Sequence, residues 1–488
     1  MDTPLAAAPS WVKDAVFYQI FPDRFAKSDT VHKPGNLESW ESEPTYHGYK
    51  GGDLVGIAEK LDWLADLGVT AIYLNPIFRS GANHRYHTHD YFSVDPLLGG
   101  ERAFDTLMAA CKKRNIRVVL DGVFNHASRG FFQFHDILEN GPGSPWLDWF
   151  QVHNWPLRPY DDTTPPQYSA WWGIKALPKF NTDNPDVREY LMRVGEYWAA
   201  KGIDGWRLDV PEEITTPGFW EEFRMRVRAV NPDLYIVGEI WADAGAYINS
   251  GNRFDGTMNY RFTAATIAFV LGYRVDESLA LDNPFYDIRP AIDAATYGWK
   301  MRDLLDSYSE QGNLASLNLL DSHDTARIIS LANGDVQSVV LALVLLLTFP
   351  GAPSIYYGTE VGLEGRTDPD CRRAFPWDDQ DSWNNDLLET TRSLVALRAG
   401  HQALRSSSYD VISPSPDEGG QMMFVFRRSS EDETLLVAVN AGDDAASVVM
   451  TLPGAEFGLV WGEGAAEQGD NNVRLNLAAR SAAVWTVK

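Results

Sequence analysis

The sequence predicts an α/β chain built on a TIM (β/α)8 barrel, with a domain inserted after the third strand and an antiparallel β-sandwich at the C-terminus. Three observations carry this. Eight short apolar runs alternate with helical patterns through most of the 488 residues, the pattern of a parallel sheet whose strands are buried on both faces. The alternation breaks after Asn125-His126, in a stretch rich in proline, glycine and tryptophan. From about Gln402 it gives way to short runs of period two separated by turn residues.

The barrel strands are predicted at 15–21, 71–75, 117–124, 205–210, 235–240, 256–259, 315–320 and 354–357. Between the first two, a helix is predicted over 54–67. Leu54, Ile57, Ala58, Leu61, Leu64 and Ala65 recur there at helical spacing, and Gly68 is the stop signal. The excursion, residues 127–185, contains Gly141-Pro142-Gly143-Ser144-Pro145-Trp146 and Thr164-Pro165-Pro166, and helical spacing resumes near Pro185. An insertion at the rim where barrel strands end can wall a cleft, and Trp155, Trp171 and Trp172 fit such a wall. The barrel is thus read as residues 1–126 and 186–401, and the inserted domain as 127–185. The sandwich takes 402–488, with strands at Met423-Phe424-Val425-Phe426, Leu435-Leu436-Val437-Ala438-Val439 and Val473-Arg474-Leu475-Asn476-Leu477.

Composition narrows the function. A 44% hydrophobic, 22% charged chain is globular. With 42 basic against 67 acidic residues the net charge is −25, which repels nucleic acid and anionic membrane. The apolar run 339–349 is far shorter than the ~18 residues of a membrane span and reads as a buried helix. Cys111 and Cys371 form no disulfide framework and read as structural thiols. Met1-Asp2-Thr3-Pro4-Leu5-Ala6 has an acid where a signal peptide carries basic residues, so a cytoplasmic location is expected. Aromatic residues make up 12% of the chain and are not confined to the core strands, which suits a ligand with flat C–H faces such as a sugar.

Three of the apolar runs lead into carboxylates: Asp209 after Gly205-Trp206-Arg207-Leu208, Glu239 after Val237-Gly238, and Asp324 after Leu320-Asp321-Ser322-His323. Functional residues of a parallel barrel sit at the carboxyl ends of its strands, so the three share one rim. Crowded carboxylates cost electrostatic energy unless they are used, paired or kept neutral. Glycoside hydrolysis by paired carboxylates is the first chemistry this set fits. Arg207 lies two residues before Asp209 and faces the same side of a strand; it is a source of charge for Asp209 or simply its structural partner.

The chain resembles the α-amylase family of glycoside hydrolases over almost its whole length. The family's regions occur in order as Asp121-Gly122-Val123-Phe124-Asn125-His126, Leu177-Pro178-Lys179-Phe180-Asn181, Arg207 with Asp209, Glu239, and His323-Asp324. The second of these and Thr367-Asp368-Pro369-Asp370-Cys371-Arg372-Arg373 resemble the neopullulanase, cyclomaltodextrinase and maltogenic amylase subgroup. The resemblance implies Asp209 as nucleophile, Glu239 as general acid and base, and Asp324 as stabiliser of the oxocarbenium-like sugar. It implies that His126, His323 and Arg207 serve the same ring and that Tyr86 stacks on it. Trp171 and Trp172 are implied on the acceptor or leaving-group sugars, Trp241 and Glu213 as further substrate-binding residues, and Asp368 and Arg372 as clamps on the preceding sugar. One of Trp171 and Trp172 is equally read as core packing, and Asp368 with Arg372 as a surface ion pair. The implied partners are α-glucan oligosaccharides, namely maltooligosaccharides, cyclodextrins or pullulan, cut at α-1,4 and α-1,6 bonds with retention. The alternatives are a 4-α-glucanotransferase and a catalytically silent glucan-binding protein.

The chain departs from the subgroup at several places. His87 follows Tyr86 where Asp is usual, and Val210-Pro211-Glu212-Glu213 stands for Val-Ala-Asn-Glu. His84, His87 and His89 complete no metal-ligand spacing, so no metal is assigned. In the first strand–helix loop Lys27 occupies a position where relatives ligate calcium, and an ammonium only donates. No cofactor is therefore expected, with calcium near Asp29 and Asp53 the alternative. The barrel begins within twenty residues of Met1, so the N-terminal domain many relatives use to dimerise is expected to be missing, giving a monomer or a dimer by another interface.

Overall fold

The computed structural model describes residues 7–414, 420–452, 454–469 and 471–488. The N-terminal stretch Met1–Ala6, whose acid argues against a signal peptide, lies outside them. Eight parallel strands form one sheet: β1 Phe17–Ile20, β2 Ala71–Leu74, β3 Arg117–Gly122, β4 Gly205–Leu208, β5 Tyr235–Gly238, β6 Gly256–Thr257, β7 Leu317–Asn318 and β8 Ala352–Tyr356. The order is β6-β5-β4-β3-β2-β1-β8-β7, and a parallel bridge between Met258 and Leu317 joins its two ends into a barrel. Every predicted strand is present. Most are shorter than their apolar runs because buried loop residues continue the apolar pattern past the ladder, as Leu319 and Leu320 do after β7. At β6 the strand stops because Asn259 turns to cap the helix Tyr260–Val270, accepting from Phe262 N.

The helix predicted over 54–67 is two helices, Leu54–Glu59 and Leu61–Asp66. Lys60 between them leaves helical geometry (φ −100°, ψ 3°), and its ammonium lies 4.3 Å from the Trp377 ring. The apolar face survives the break: Leu54, Ile57, Leu61 and Leu64 are all buried. The apolar run 339–349 lies largely in the buried helix Val336–Thr348. Among the described residues no helix is long and apolar enough to cross a membrane.

Between β3 and the helix Pro185–Ala200 the chain makes its excursion, held by single antiparallel bridges (His126 to Lys179, Phe150 to Phe180, Val152 to Tyr168, Ala170 to Pro178) rather than by a sheet. Phe131, Phe134, Phe150, Tyr168 and Phe180 pack ring against ring and supply the core that so few ladder bonds cannot. Asn184 and Pro185 then start the next helix as cap and first residue.

At the C-terminus a five-stranded antiparallel sheet (Asp410–Ser413, Met423–Ser429, Thr434–Asn440, Ser481–Val487, Phe457–Gly462) packs on a three-stranded one (Ala446–Thr451, Asn472–Leu477, Ala465–Gln468). Met423 and Val425 face the small sheet with Val448 and Leu475, while Phe424 and Phe426 face the barrel's core. Burial on both faces explains the unbroken apolar run.

Candidate active site

Asp209 and Glu239 follow directly on β4 and β5. Their amides continue the ladder, to Gly122 O (3.1 Å) and Leu208 O (2.9 Å). Arg207, fully buried in β4, ties the rim together. Its Nη1 donates to Asp121 Oδ1 (2.8 Å) and Asp209 Oδ1 (3.0 Å). Its Nη2 lies 2.8 Å from Glu239 Oε2. Val210, next after Asp209, is held in left-handed backbone (φ 36°, ψ 52°), a costly conformation for a β-branched residue and one that collects at functional sites. That turn carries the Val210 amide toward Glu239 Oε2 (3.3 Å).

Asp121, Asp209, Glu239 and Asp324, with Asp368 beside them, meet two guanidiniums here. Arg372 donates to Asp324 Oδ1 (3.3 Å) and pairs with Asp368 Oδ1 (2.9 Å), its Nε fixed on His323 O (2.9 Å). Burial dominates the titration of all four acids. It pushes Asp209 up to about 7, against the pull of Arg207 and with help from Asp121 and Asp324. It pushes Glu239 well above the usual carboxylate range, with the charges of Asp209, Asp324 and Asp121 adding and Arg207 opposing. Asp121 and Asp324 are also raised by burial. Arg207 draws Asp209 toward its ionised form, but desolvation outweighs that charge. The cluster shares protons as a unit, and Arg207 Nη2 lies 2.8 Å from Glu239 Oε2 without an aligned hydrogen bond.

Tyr86 and His323 stand beside this core. Tyr86 Oη donates to Asp121 Oδ2 (2.8 Å) and lies 2.7 Å from His323 Nε2, the two rings parallel within 5°. The Gln19 amide nitrogen lies 2.9 Å from His323 Nδ1, which makes Nδ1 the acceptor and puts the proton on Nε2, facing Tyr86 and Asp324 Oδ2 (3.1 Å). Asn125 sets His126 likewise through Nδ1 (3.3 Å). Burial keeps that imidazole neutral, with a pKa of about 3, and its Nε2 is buried with no partner. His126 stacks on Trp171 (5.3 Å) and Trp171 on Trp172 (4.6 Å). Trp172 is 80% exposed, so its indole is not core, while Trp171 is half-buried with its Nε1 unpartnered. Trp241 donates to Glu239 Oε1 (3.4 Å) and stacks on Tyr260 at 3.6 Å. Glu213 stands apart from the arginine cluster, paired with Lys179 of the excursion (2.7 Å).

Three groups were not among the candidates. Asp121, fully buried under the site, accepts from Tyr73, Tyr86 and Arg207. Its signal was a carboxylate inside an apolar strand rather than after one. Tyr260 is the second half of the Trp241 stack. Glu212 carries a buried Oε2 with no partner, and burial raises its carboxyl, with Glu213 adding.

Asp53 near the first loop is fully engaged. It caps the helix Leu54–Glu59 through Gly56 N (2.8 Å), accepts from Ser28 N (2.8 Å) and pairs with Lys33 (2.9 Å), while the Lys27 ammonium lies 5.2 Å from the Trp40 ring. Among the described residues no group of three His, Cys, Asp or Glu side chains is placed to hold a metal ion. Cys111 and Cys371 are free and buried, and burial pushes both thiols up to about 12.

A closed parallel barrel with buried carboxylates massed on one rim defines an enzyme of acid and nucleophilic catalysis. Residues 19–392 match the family model described as the α-amylase catalytic domain. The cyclomaltodextrinase of Geobacillus thermopakistaniensis is 41% identical over 451 residues, which is 92% of this chain and 72% of that protein. The intracellular maltogenic amylase of Bacillus subtilis is 37% identical over 89% of this chain and 70% of its own. The native crystal structure of the Nostoc punctiforme debranching enzyme superposes with a TM-score of 0.90 at 50% identity, covering 98% of this chain and 99% of that one. The chain belongs to the α-amylase family of glycoside hydrolases.

Proposed function

We propose that the protein hydrolyses α-1,4 and α-1,6 glucosidic bonds in maltooligosaccharides, cyclodextrins or pullulan with retention of configuration, in the cytoplasm. One observation carries the mechanism: Asp209 and Glu239 contact neighbouring nitrogens of one guanidinium while burial drives Glu239 toward its protonated form. That arrangement favours the short carboxyl spacing of retaining enzymes over the ~6.5–9.5 Å that leaves room for a water in inverting ones. Glu239 gives its proton to the glycosidic oxygen. The bond from that oxygen to the anomeric carbon breaks as Asp209 forms an ester to the carbon. The now ionised Glu239 takes a proton from water, whose oxygen attacks the same carbon and releases Asp209. Two inversions restore the α configuration. The unpartnered His126 N–H and the Asp324 carboxylate supply a donor and an acceptor for sugar hydroxyls.

A second reading, dominant transfer to another glucan, is favoured by the exposed Trp172 face, a platform for an acceptor sugar in place of water. Product chromatography with a linear maltooligosaccharide, a cyclodextrin, pullulan and a branched oligosaccharide in parallel tests both, with Asp209→Asn as control. Products shorter than the substrate support hydrolysis, and longer ones support transfer. Turnover retained by Asp209→Asn contradicts both.

A further inference from the structure

A cavity of about 410 Å³ lies where the hairpin of Phe78–Ser80 and Thr88–Val94 meets the helix Phe132–Asn140. Arg79, His89, Asp90, Phe132, Gln133 and Tyr190 line it. None of them bonds to Asp209, Glu239 or Asp324. Its size is that of small-ligand sites.

Three features of the lining go beyond a surface irregularity. Phe132 is 64% exposed, while its neighbours Phe131 and Phe134 are buried in the aromatic core of the excursion, so packing gives Phe132 no reason to be aromatic. Gln133 Oε1 is buried and has no hydrogen-bond donor, an acceptor left desolvated at a cost that a bound hydroxyl removes. The His89 ring is a fixed wall. A methyl group at Gly130 falls 2.6 Å from it and one at Gly81 3.1 Å, so both glycines let the backbone close on its edges.

The mixture of groups selects the ligand class. Arg79 makes no ion pair among the described residues and offers donors. Asp90 offers acceptors, since its oxygens take only Phe92 N and Ser93 Oγ. An anion meets the Asp90 carboxylate, and a purely apolar ligand strands Arg79 and Gln133. A pyranose satisfies all three, with a C–H face for Phe132 and vicinal hydroxyls that both donate and accept. We propose that this cavity is a second, non-catalytic α-glucan site that anchors longer chains beside the cleft. The proposal rests on the glucan reading of the active site. The connection is direct in the chain: Tyr86 lies in the loop of the same hairpin, and Gly130 follows His126 by four residues.

Calorimetric titration of Asp209→Asn protein with maltoheptaose counts the sites, and two per chain are expected. Adding Phe132→Ala or Arg79→Ala leaves one. In the active protein Phe132→Ala raises KM on amylose by about tenfold, since one aromatic contact is lost, and leaves kcat and all constants on maltotriose unchanged. A single site in the Asp209→Asn protein, or an amylose KM unmoved by Phe132→Ala, overturns the anchor while leaving the glucan reading intact. Absence of any maltoheptaose binding overturns both.

Discussion

Arg207 Nη1 sits 2.8 Å from Asp121 Oδ1, and neither side chain reaches solvent. The pair is the floor on which Asp209 and Glu239 stand, and Tyr86 reaches His323 from the same Asp121 carboxylate. Asp121 is a positioning residue. Its charge raises both Asp209 and Glu239, so Asp121→Asn is expected to move both limbs of the pH profile of kcat/KM to lower pH. Asp121→Ala, which leaves Arg207 short of a buried partner, is expected to cost about 3–5 kcal/mol of stability in denaturant titration. Unmoved limbs in Asp121→Asn contradict the positioning role.

The raised carboxylates also make stability depend on pH. A carboxyl whose folded pKa exceeds its unfolded value of ~3.9 binds more protons in the folded state, so its contribution to stability is lost as pH rises toward the folded pKa. For Asp209 that window runs from about 4 to about 7. Asp209→Asn is therefore expected to be more stable than the parent at pH 8, by on the order of 2–4 kcal/mol, and to unfold at a higher temperature. The difference closes by pH 4. Equal Tm values at pH 8 contradict the burial argument.

Trp172 holds a left-handed backbone (φ 49°, ψ 23°) for an indole that is mostly in solvent. Such a conformation costs an L-residue roughly 1–2 kcal/mol, about what its stack on Trp171 returns, ~0.5–1.5 kcal/mol. Trp172→Gly should then leave Tm nearly unchanged while the ratio of transfer to hydrolysis products at high substrate falls several-fold. An unchanged ratio removes Trp172 as the acceptor platform.

Glu212 Oε2 is buried without a donor three residues past Asp209. Glu212→Gln keeps the shape, removes the charge and adds a donor. Because Glu212 stands where the subgroup carries Asn, three residues past the proposed nucleophile, this change is expected to alter kcat/KM for α-1,6 relative to α-1,4 linkages by about tenfold, the size of one polar contact. Equal effects on both linkages, measured on a branched and a linear oligosaccharide of one length, contradict a role in linkage choice.

The barrel was legible because its strands are buried on both faces, which writes each as an apolar run, and because Asp209 and Glu239 end two of them. The break at Lys60 was not, since nothing local forbids a helix there and the contact with Trp377 lies over three hundred residues away. Asp121 stands in the sequence only as part of a motif because it lies inside β3, where tertiary structure alone brings Tyr73, Tyr86 and Arg207 to it. The His126–Trp171–Trp172 stack was legible as residues but not as an arrangement, because the excursion is held by single bridges with no periodicity to read. The raised Asp209 was likewise out of reach: spacing reveals Arg207 beside it but not the desolvation that outweighs that charge.

The most direct measurement is mass spectrometry of Glu239→Gln protein after reaction with an α-maltosyl fluoride. Fluoride leaves without a proton, so the first step proceeds while the second, lacking its base, stalls. The expected result is a covalent maltosyl adduct mapped by peptide digestion to Asp209, and its absence, or an adduct on Asp324 instead, contradicts the assignment of Asp209 as nucleophile.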